Sequence, residues 1–306
     1  MKTYKHSGDI GDIIYSLYAV KSLGGGVLYL DVDGGATDHA CNINCHGGKT
    51  KFGINGYNFL EDLIKSQSYI SDLKIWNGES VDFNLNDFRL TFHRENHDKF
   101  SLLQRHLAAL NIKPISDINS GWLAVDGGIK LDKPIVINRS PRYHSSYTWF
   151  VTNKDAIAEH AVFIGHPKEH EIFEYTYEIS IPYYKCKDAL EVAKIIKGCD
   201  LYVGNESAPL AIAIGLGDVD IIQEPYTGSY SCIFDDKKNM IYTPSNPDLK
   251  KILHRDLDGF KCKYAHSMLT EETLSSFLYK KQKHLISEMI KPVKKKFRAN
   301  IKKKLV

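Results

Sequence analysis

The sequence predicts an α/β protein with two domains, each built on a parallel β-sheet that helices cover on both faces. The length of 306 residues suits two domains of ordinary size. Short apolar strands alternate with helical segments through the first half, and the alternation restarts at Pro134. Because repeated strand–helix units are typical of parallel sheets, we expect two Rossmann-like domains that face each other across a cleft.

Composition and charge narrow the class of protein further. Apolar residues make up 43% of the chain, which is enough for real cores. No run approaches the roughly 18 apolar residues that a membrane-spanning helix needs. Six cysteines are too few for a disulfide scaffold. With no apolar leader at the N-terminus, these features favour reduced thiols and a cytoplasmic protein.

We expect the first half, residues 1–130, to form one domain. Its predicted strands are Lys2–Lys5, Val27–Val32 and Asp72–Trp76, and its predicted helices start at Ile13 and cover Tyr57–Lys65 and Phe100–Leu110. Residues 33–55 are rich in Gly, Asn, Asp and His and are expected to form a long loop. Residues 126–133 resemble a linker between domains.

Residues 131–270 read as the second domain. The predicted strands are Pro134–Asn138, Ala161–Ile164, Tyr177–Ile181, Asp200–Val203 and Val219–Ile222. The predicted helices are Thr148–His160, Pro167–Tyr175, Asp188–Lys197 and Leu210–Leu216. Residues 271–306 are expected to form a C-terminal helix and a basic tail.

The first strand runs into a turn that contains Ser7, Gly8, Asp9, Gly11 and Asp12. Glycines allow a tight turn and a close approach by a ligand. Two carboxylates would repel phosphate, and they suit a group that accepts a proton in a cleft. We therefore expect Asp12 or Asp9 to be catalytic and Ser7, Gly8 and Gly11 to line the acceptor side. Alternatively, Asp9 caps the helix and Asp12 complements its macrodipole.

A second turn, Gly204–Pro209, follows a strand of the second domain and opens an apolar helix. Helix N-termini attract anions, and ligands of open α/β sheets lie at the carboxyl ends of strands. The turn therefore predicts a diphosphate site, and Glu206 would bind a ribose or sugar hydroxyl. Alternatively, Asn205 or Ser207 is only a helix cap. The candidate donor-binding residues of this turn are Asn205, Glu206, Ser207, Ala208 and Pro209.

Three further residues follow strands at the same expected edge of the sheet. Arg139 and Arg142 come just after a strand and would hold phosphate oxygens in a bidentate fork. His166 follows another strand and would contact a base or ribose. Alternatively, the arginines are solvated in a surface loop and His166 only packs.

Other motifs do not fit. Gly47–Thr50 lacks the earlier glycine and the strand that a phosphate-binding loop needs, and the first turn is not a dinucleotide fingerprint. His39, Cys41, Cys45 and His46 could ligate zinc, but their spacing is irregular and no second pair completes a finger. We therefore expect no metal and no cofactor.

The net charge of +3 is unevenly placed. Residues 291–306 hold eight Lys and Arg and no acid, which leaves −5 for the rest. Val293, Phe297, Ile301 and Leu305 recur every four residues among these lysines. As a helix, this tail suits an anionic membrane surface and would make the protein peripheral at the inner face of the membrane. Nucleic-acid binding and a solvated disordered tail are the alternatives.

The segments Ser7–Leu17, Ala189–Ala193 and Cys199–Pro209 resemble heptosyltransferase-like glycosyltransferases of family 9, which have the GT-B fold, and Phe163–Pro167 does so weakly. The resemblance implies inverting transfer from a nucleotide-activated sugar to a hydroxyl acceptor without an essential metal. It assigns the base to Asp12 and the donor diphosphate to Asn205, Glu206 and Ser207. The chain departs from the family pattern at Glu206, where a hydroxyl residue is common, and at Leu210, where a histidine is frequent.

Two other functions remain open from the sequence. A nucleotide-sugar epimerase would use the same fold and the same donor, without an acceptor. A non-catalytic protein that binds a nucleotide or a glycan and is anchored by its tail would keep the donor site alone. Under the main interpretation the partners are a nucleotide-sugar donor and a glycan or other hydroxyl acceptor.

Overall fold

The computed structural model describes residues 1–33, 52–93, 101–113, 118–143, 149–224, 232, 234 and 239–242. Several predictions lie outside these residues. They are the candidate zinc ligands at positions 39–46, most of the loop predicted at 33–55, and the C-terminal helix and basic tail predicted at 271–306.

Among the described residues, four strands form a parallel sheet in the N-terminal half, in the order β3-β2-β1-β4. The elements are β1 (Lys2–His6), α1 (Ile10–Ser22), β2 (Gly26–Leu30), α2 (Gly53–Lys65), β3 (Ile70–Ile75) and β4 (Phe83–Asn84). A 3-10 helix, Leu85–His93, and α3 (Leu102–Ala109) follow. The predicted strands are confirmed, whereas α2 begins inside the segment that was predicted to be a loop.

The described residues of the C-terminal half form a second parallel sheet, in the order β10-β9-β8-β5-β6-β7. Its first elements are β5 (Ile135–Asn138), α4 (Trp149–Thr152), α5 (Lys154–His160), β6 (Ala161–Ile164), α6 (Pro167–Tyr177) and β7 (Tyr183–Tyr184). The remaining elements are α7 (Ala189–Gly198), β8 (Leu201–Asn205), α8 (Ala208–Leu216), β9 (Ile221–Glu224) and β10 (Met240–Tyr242).

The prediction of a strand over Tyr177–Ile181 is wrong. Tyr177 is the last residue of α6, where its ring packs on Phe173 in the core. Glu178 then adopts a left-handed conformation with φ 55°, which ends the helix. The predicted helix Thr148–His160 is interrupted at Asn153, which separates α4 from α5.

The two halves share one continuous hydrophobic core, in which α1 packs on α8 and α2 packs on α7. Trp122 lies at this junction and is buried. Its indole Nε1 donates to the carbonyl oxygen of Ile14 at 2.8 Å, and its backbone N–H donates to that of Gly215 at 2.7 Å. Trp122 therefore ties α1 of one half to α8 of the other. The domain boundary at residue 130 stays a prediction.

Within the described part of the chain, every helix is too short or too polar to cross a bilayer.

Candidate active site

Residues 7–12, which comprise the turn after β1 and the first residues of α1, carry two of the predicted site acids and are named the β1–α1 turn. Asp9 is the N-cap of α1, and its carbonyl oxygen accepts the N–H of Ile13 at 3.1 Å. Asp9 therefore occupies the N-cap position, as the alternative interpretation has it, but its carboxylate makes no capping hydrogen bond. Asp12 lies in the first turn of α1, where a negative charge complements the helix macrodipole.

Asp12 is held by the 3-10 helix Leu85–His93, which the sequence analysis did not predict. Its Oδ2 lies 3.7 Å from Nη2 of Arg89, and the two side chains are 15% and 10% exposed. Arg89 Nη1 donates to Oδ1 of Asn86 at 2.7 Å, and the same oxygen accepts the N–H of Ser7 at 3.1 Å. The 3-10 helix therefore positions both the carboxylate of Asp12 and the backbone of the β1–α1 turn.

The amino ends of α1 and α8 lie against each other. A Cβ added at Gly11 would be 3.9 Å from Cα of Ala208, which is an ordinary van der Waals contact. Gly11 belongs to the turn with Asp12, and Ala208 is the first residue of α8. The structure therefore brings together the two turns that the sequence analysis singled out separately.

Electrostatics at Tyr15 and Cys232 support the same juxtaposition. Burial raises the pKa of the Tyr15 hydroxyl well above its usual value, and the charges of Glu206 and Asp12 raise it further. Burial also raises the pKa of the Cys232 thiol, and the same two carboxylates add to the effect. Because Asp12 and Glu206 act on the same two groups, they share one neighbourhood although they belong to different halves.

The turn between β8 and α8, residues 205–210, opens a helix without a side-chain cap. Ser207 is the N-cap, but its hydroxyl donates to Oδ1 of Asn138 at 2.9 Å and makes no capping bond. Asn138 is fixed in turn, since its Nδ2 donates to the carbonyl oxygen of Ile164 at 3.0 Å. Ala208 and Pro209 begin the helix. The amino end of α8 therefore keeps the partial positive charge that attracts anions.

Asn205 is buried and holds the loop that follows β5. Its Oδ1 accepts the N–H of Ser140 at 2.9 Å, and its Nδ2 donates to the carbonyl oxygens of Ser140 at 3.0 Å and Arg142 at 2.6 Å. Because these bonds use both the oxygen and the nitrogen of the side-chain amide, Asn205 positions the loop, and its contact with the donor stays a prediction.

Arg139 departs from the predicted phosphate fork. It is buried and makes a bidentate ion pair with Glu224, with Nε to Oε2 at 2.6 Å and Nη2 to Oε1 at 3.0 Å. Arg139 thus makes its bidentate fork with a carboxylate of the protein, and its contact with phosphate stays a prediction. Arg142 is partly exposed and lies over the ring of Tyr143, 5.1 Å from its centroid. Of the two arginines, Arg142 remains the candidate for an anionic ligand.

His166 is an exposed residue at the end of β6 that caps α6. Its Nδ1 accepts the N–H of Lys168 at 3.2 Å, and Glu169 completes a capping box by accepting the N–H of His166 at 3.0 Å. Burial raises the pKa of Glu169. The local role of His166 is thus structural, and a contact with base or ribose stays a prediction.

Three residues of the site were missed by the sequence analysis. Arg89 and Asn86 lie in a segment without helical or strand periodicity, and Cys232 is isolated in the sequence. No local pattern marks them, because their partners Ser7, Asp12 and Tyr15 are more than 70 residues away. Among the described residues, no three His, Cys, Asp or Glu side chains are grouped as a metal would require.

Comparison with known proteins identifies the fold. No protein-family model and no curated protein sequence matches the chain. A solved structure of a glycosyl transferase family 9 protein from Veillonella parvula is similar, with a TM-score of 0.52 at 12% identity over 94% of this chain and 97% of that one. At this identity the similarity shows a shared fold, and the two-sheet α/β architecture expected from the sequence is confirmed.

Two structures of the Escherichia coli heptosyltransferase WaaC are more distantly similar. The complex with ADP-2-deoxy-2-fluoro heptose has a TM-score of 0.48 at 10% identity, over 84% of this chain and all of that one. The complex with ADP has a TM-score of 0.38 at 12% identity, over 85% of this chain and 97% of that one.

Proposed function

We propose that the protein is an inverting glycosyltransferase that moves a sugar from a nucleotide-sugar donor to a hydroxyl acceptor without a metal ion. The observation that carries this proposal is the contact between the amino ends of α1 and α8 at Gly11 and Ala208. It sets a carboxylate, Asp12, beside a helix end that attracts anions, and group transfer to a hydroxyl needs both. The shared fold of the family 9 structure from V. parvula supports the same class of reaction.

Asp12 is the general base of the proposed reaction. The acceptor hydroxyl enters from the N-terminal half and gives its proton to Asp12 as its oxygen bonds to the anomeric carbon. Attack from the face opposite the diphosphate inverts the configuration at that carbon. Arg89, whose Nη2 lies 3.7 Å from Oδ2 of Asp12, orients the carboxylate.

The bond from the anomeric carbon to the diphosphate oxygen breaks as the new bond forms. Negative charge then grows on the departing diphosphate, and we assign its stabilisation to the amino end of α8 and to Arg142. Glu206 is buried beside Tyr15 and Cys232, and we assign to it a hydrogen bond from a sugar or ribose hydroxyl. Arg139 supports the neighbouring loop through its pair with Glu224 and takes no part in the transfer.

A transfer assay tests the proposal. The protein is incubated with labelled nucleotide sugars that differ in base and sugar, each with a panel of glycan and lipid-linked acceptors, in excess chelator. We expect a product with one donor class, with the opposite anomeric configuration by NMR and an undiminished rate in chelator. A changed sugar without any acceptor would identify an epimerase, and donor binding without turnover on any acceptor would identify a binding protein.

We also propose that residues 291–306 bring the protein to an anionic membrane surface, on the strength of their eight basic residues and spaced apolar side chains. Co-sedimentation of the full chain and a chain lacking these residues with phosphatidylglycerol vesicles tests this. The truncated chain is expected to stay in the supernatant, and equal partitioning would remove the proposal.

A further inference from the structure

Two buried histidines form a continuous hydrogen-bonded connection from the β1–α1 turn to α3. Nδ1 of His6 accepts the N–H of Gly8 at 2.8 Å. Nε2 of His6 lies 3.3 Å from Nε2 of His106, and Nδ1 of His106 lies 2.8 Å from the carbonyl oxygen of Leu102. Neither histidine is accounted for by the reaction proposed above.

The chemistry at the two ends fixes where every proton in this connection lies. A backbone N–H can only donate, so Nδ1 of His6 carries no proton and its Nε2 does. A carbonyl oxygen can only accept, so Nδ1 of His106 carries the proton and its Nε2 accepts from His6. The two rings are therefore neutral and of opposite tautomers, and all donors point from the turn towards α3.

The surroundings keep both rings neutral and in place. His6 is fully buried and His106 is 1% exposed. Phe88 stacks on both, with ring centroids 4.1 Å from His106 and 5.9 Å from His6. Burial, aided by the charge of Arg89, lowers the pKa of His6 well below its usual value and that of His106 to about 3. The connection thus persists across the range in which most histidines titrate.

The backbone N–H that His6 binds belongs to Gly8, near the start of the β1–α1 turn. Gly8 has no room for a side chain, since a Cβ there would lie 2.5 Å from Nη2 of Arg89 and 2.5 Å from Cε1 of His6. Its main chain is pressed between the arginine that contacts Asp12 and the ring that binds its N–H. A displacement of His6 would therefore move Gly8 and Arg89 together.

We propose that His6 and His106 are positioning residues that set the β1–α1 turn, and through it Asp12, at the amino end of α8. Their catalytic consequence rests on the proposed function, whereas the hold on Gly8 does not. The two neutral rings fix the turn without adding charge beside the base. A misplacement of about 1 Å at a reacting group can cost on the order of 100-fold in rate, so a loosened turn should lower kcat strongly.

Nuclear magnetic resonance of the full chain tests the hold on Gly8 directly. Nitrogen shifts of the imidazole rings should show a protonated Nε2 in His6 and a protonated Nδ1 in His106. The Gly8 amide should exchange with solvent slowly, and His6→Ala should accelerate this exchange at least about tenfold. The opposite tautomers, or rapid exchange of Gly8 in the wild type, would overturn the proposal.

Three variants separate positioning from mere folding. His6→Asn keeps an acceptor near the place of Nδ1 and should retain slow exchange at Gly8 and most of kcat. His6→Ala should lower kcat about 10- to 100-fold at unchanged donor affinity. His106→Phe, which preserves the stack on Phe88, should give an intermediate loss and serves as the second test if His6→Ala does not fold. Equal kcat in all three would contradict the positioning role.

His170→Phe is the matched control. This histidine also lies on a helix and bonds a backbone carbonyl, that of Ile181 at 2.8 Å, but far from the turn in the chain. Its replacement should leave Gly8 exchange and kcat unchanged. A wild type without transferase activity but with the expected tautomers and slow Gly8 exchange would overturn the proposed function and leave the hold on Gly8 established.

Discussion

The β1–α1 turn and the β8–α8 turn have similar backbones and differ in the groups that hold them in place. Each follows a strand whose last residue is buried and opens a largely buried helix, and neither helix has a side-chain cap. In the β1–α1 turn the N–H groups of Ser7 and Gly8 are bound by Asn86 and His6. In the β8–α8 turn the Ser207 hydroxyl is drawn to Asn138, away from the helix end. The β1–α1 turn presents the Asp12 carboxylate beside Arg89, and the β8–α8 turn presents the uncapped amino end of α8 together with buried Glu206.

The buried groups that support the two turns also differ in charge. Two neutral histidines hold the β1–α1 turn. Beside the β8–α8 turn, Asn205 clamps the loop that begins at Arg139, and Arg139 pairs with buried Glu224. Because His6 and His106 carry no charge, they leave the charge of the Asp12 carboxylate unaltered in the β1–α1 turn. The charges of Arg139 and Glu224 cancel each other, so this ion pair adds little electric field at the amino end of α8.

The largest expected effect is a loss of unfolding free energy when the Arg139–Glu224 ion pair is broken. Glu224→Gln leaves the Arg139 guanidinium buried without a counter-charge, which typically costs about 3–5 kcal/mol of unfolding free energy. Urea denaturation of wild type and variant measures it. Glu61→Gln removes the exposed partner of Lys65 and should cost less than about 1 kcal/mol. Equal losses in the two variants would show that the buried pair does not support this half.

The two turns could be predicted from the sequence, whereas the buried residues that support them could not. Both turns are visible locally, because a strand, small polar residues and an apolar helix follow one another within about ten residues. The residues that support them are not, since Arg89, Glu224 and His106 lie 77, 85 and 100 positions along the chain from their partners. The short edge strands β4 and β10 carry too few residues for any periodicity to mark them.

Because His6 and His106 are buried and neutral, we predict that the free energy of unfolding depends on pH. An unfolded histidine titrates near pH 6.5, whereas the pKa of folded His106 is about 3 and that of His6 is also lowered. Between these values the unfolded chain binds protons that the folded chain does not, so stability falls as the pH falls below 6.5. The slope is about 1.4 kcal/mol per pH unit for each histidine.

Urea denaturation between pH 6.5 and 4.5 measures this slope. His106→Phe should flatten it by about 1.4 kcal/mol per pH unit, because one titrating group is removed. Above pH 7 the slopes of variant and wild type should coincide. An unchanged slope below pH 6.5 would mean that His106 is protonated in the folded protein.

A smaller effect tests the positive end of α8. Ser207→Asp adds a negative charge at the helix N-cap and should weaken binding of the donor diphosphate about tenfold by repulsion. Calorimetry with the donor identified in the transfer assay measures the affinity. Ser207→Asn has a similar shape without the charge and should change the affinity less than about threefold. Equal affinities in the two variants would place the diphosphate elsewhere.

The central claim is that Asp12 removes a proton at the junction of the two turns. Single-turnover transfer at saturating donor measures this step for Asp12→Asn and for Asp155→Asn, which removes an exposed acid from the first turn of α5. We predict a rate about 1,000-fold lower for Asp12→Asn, with unchanged donor affinity, and a wild-type rate for Asp155→Asn. Equal rates in the two variants would contradict it.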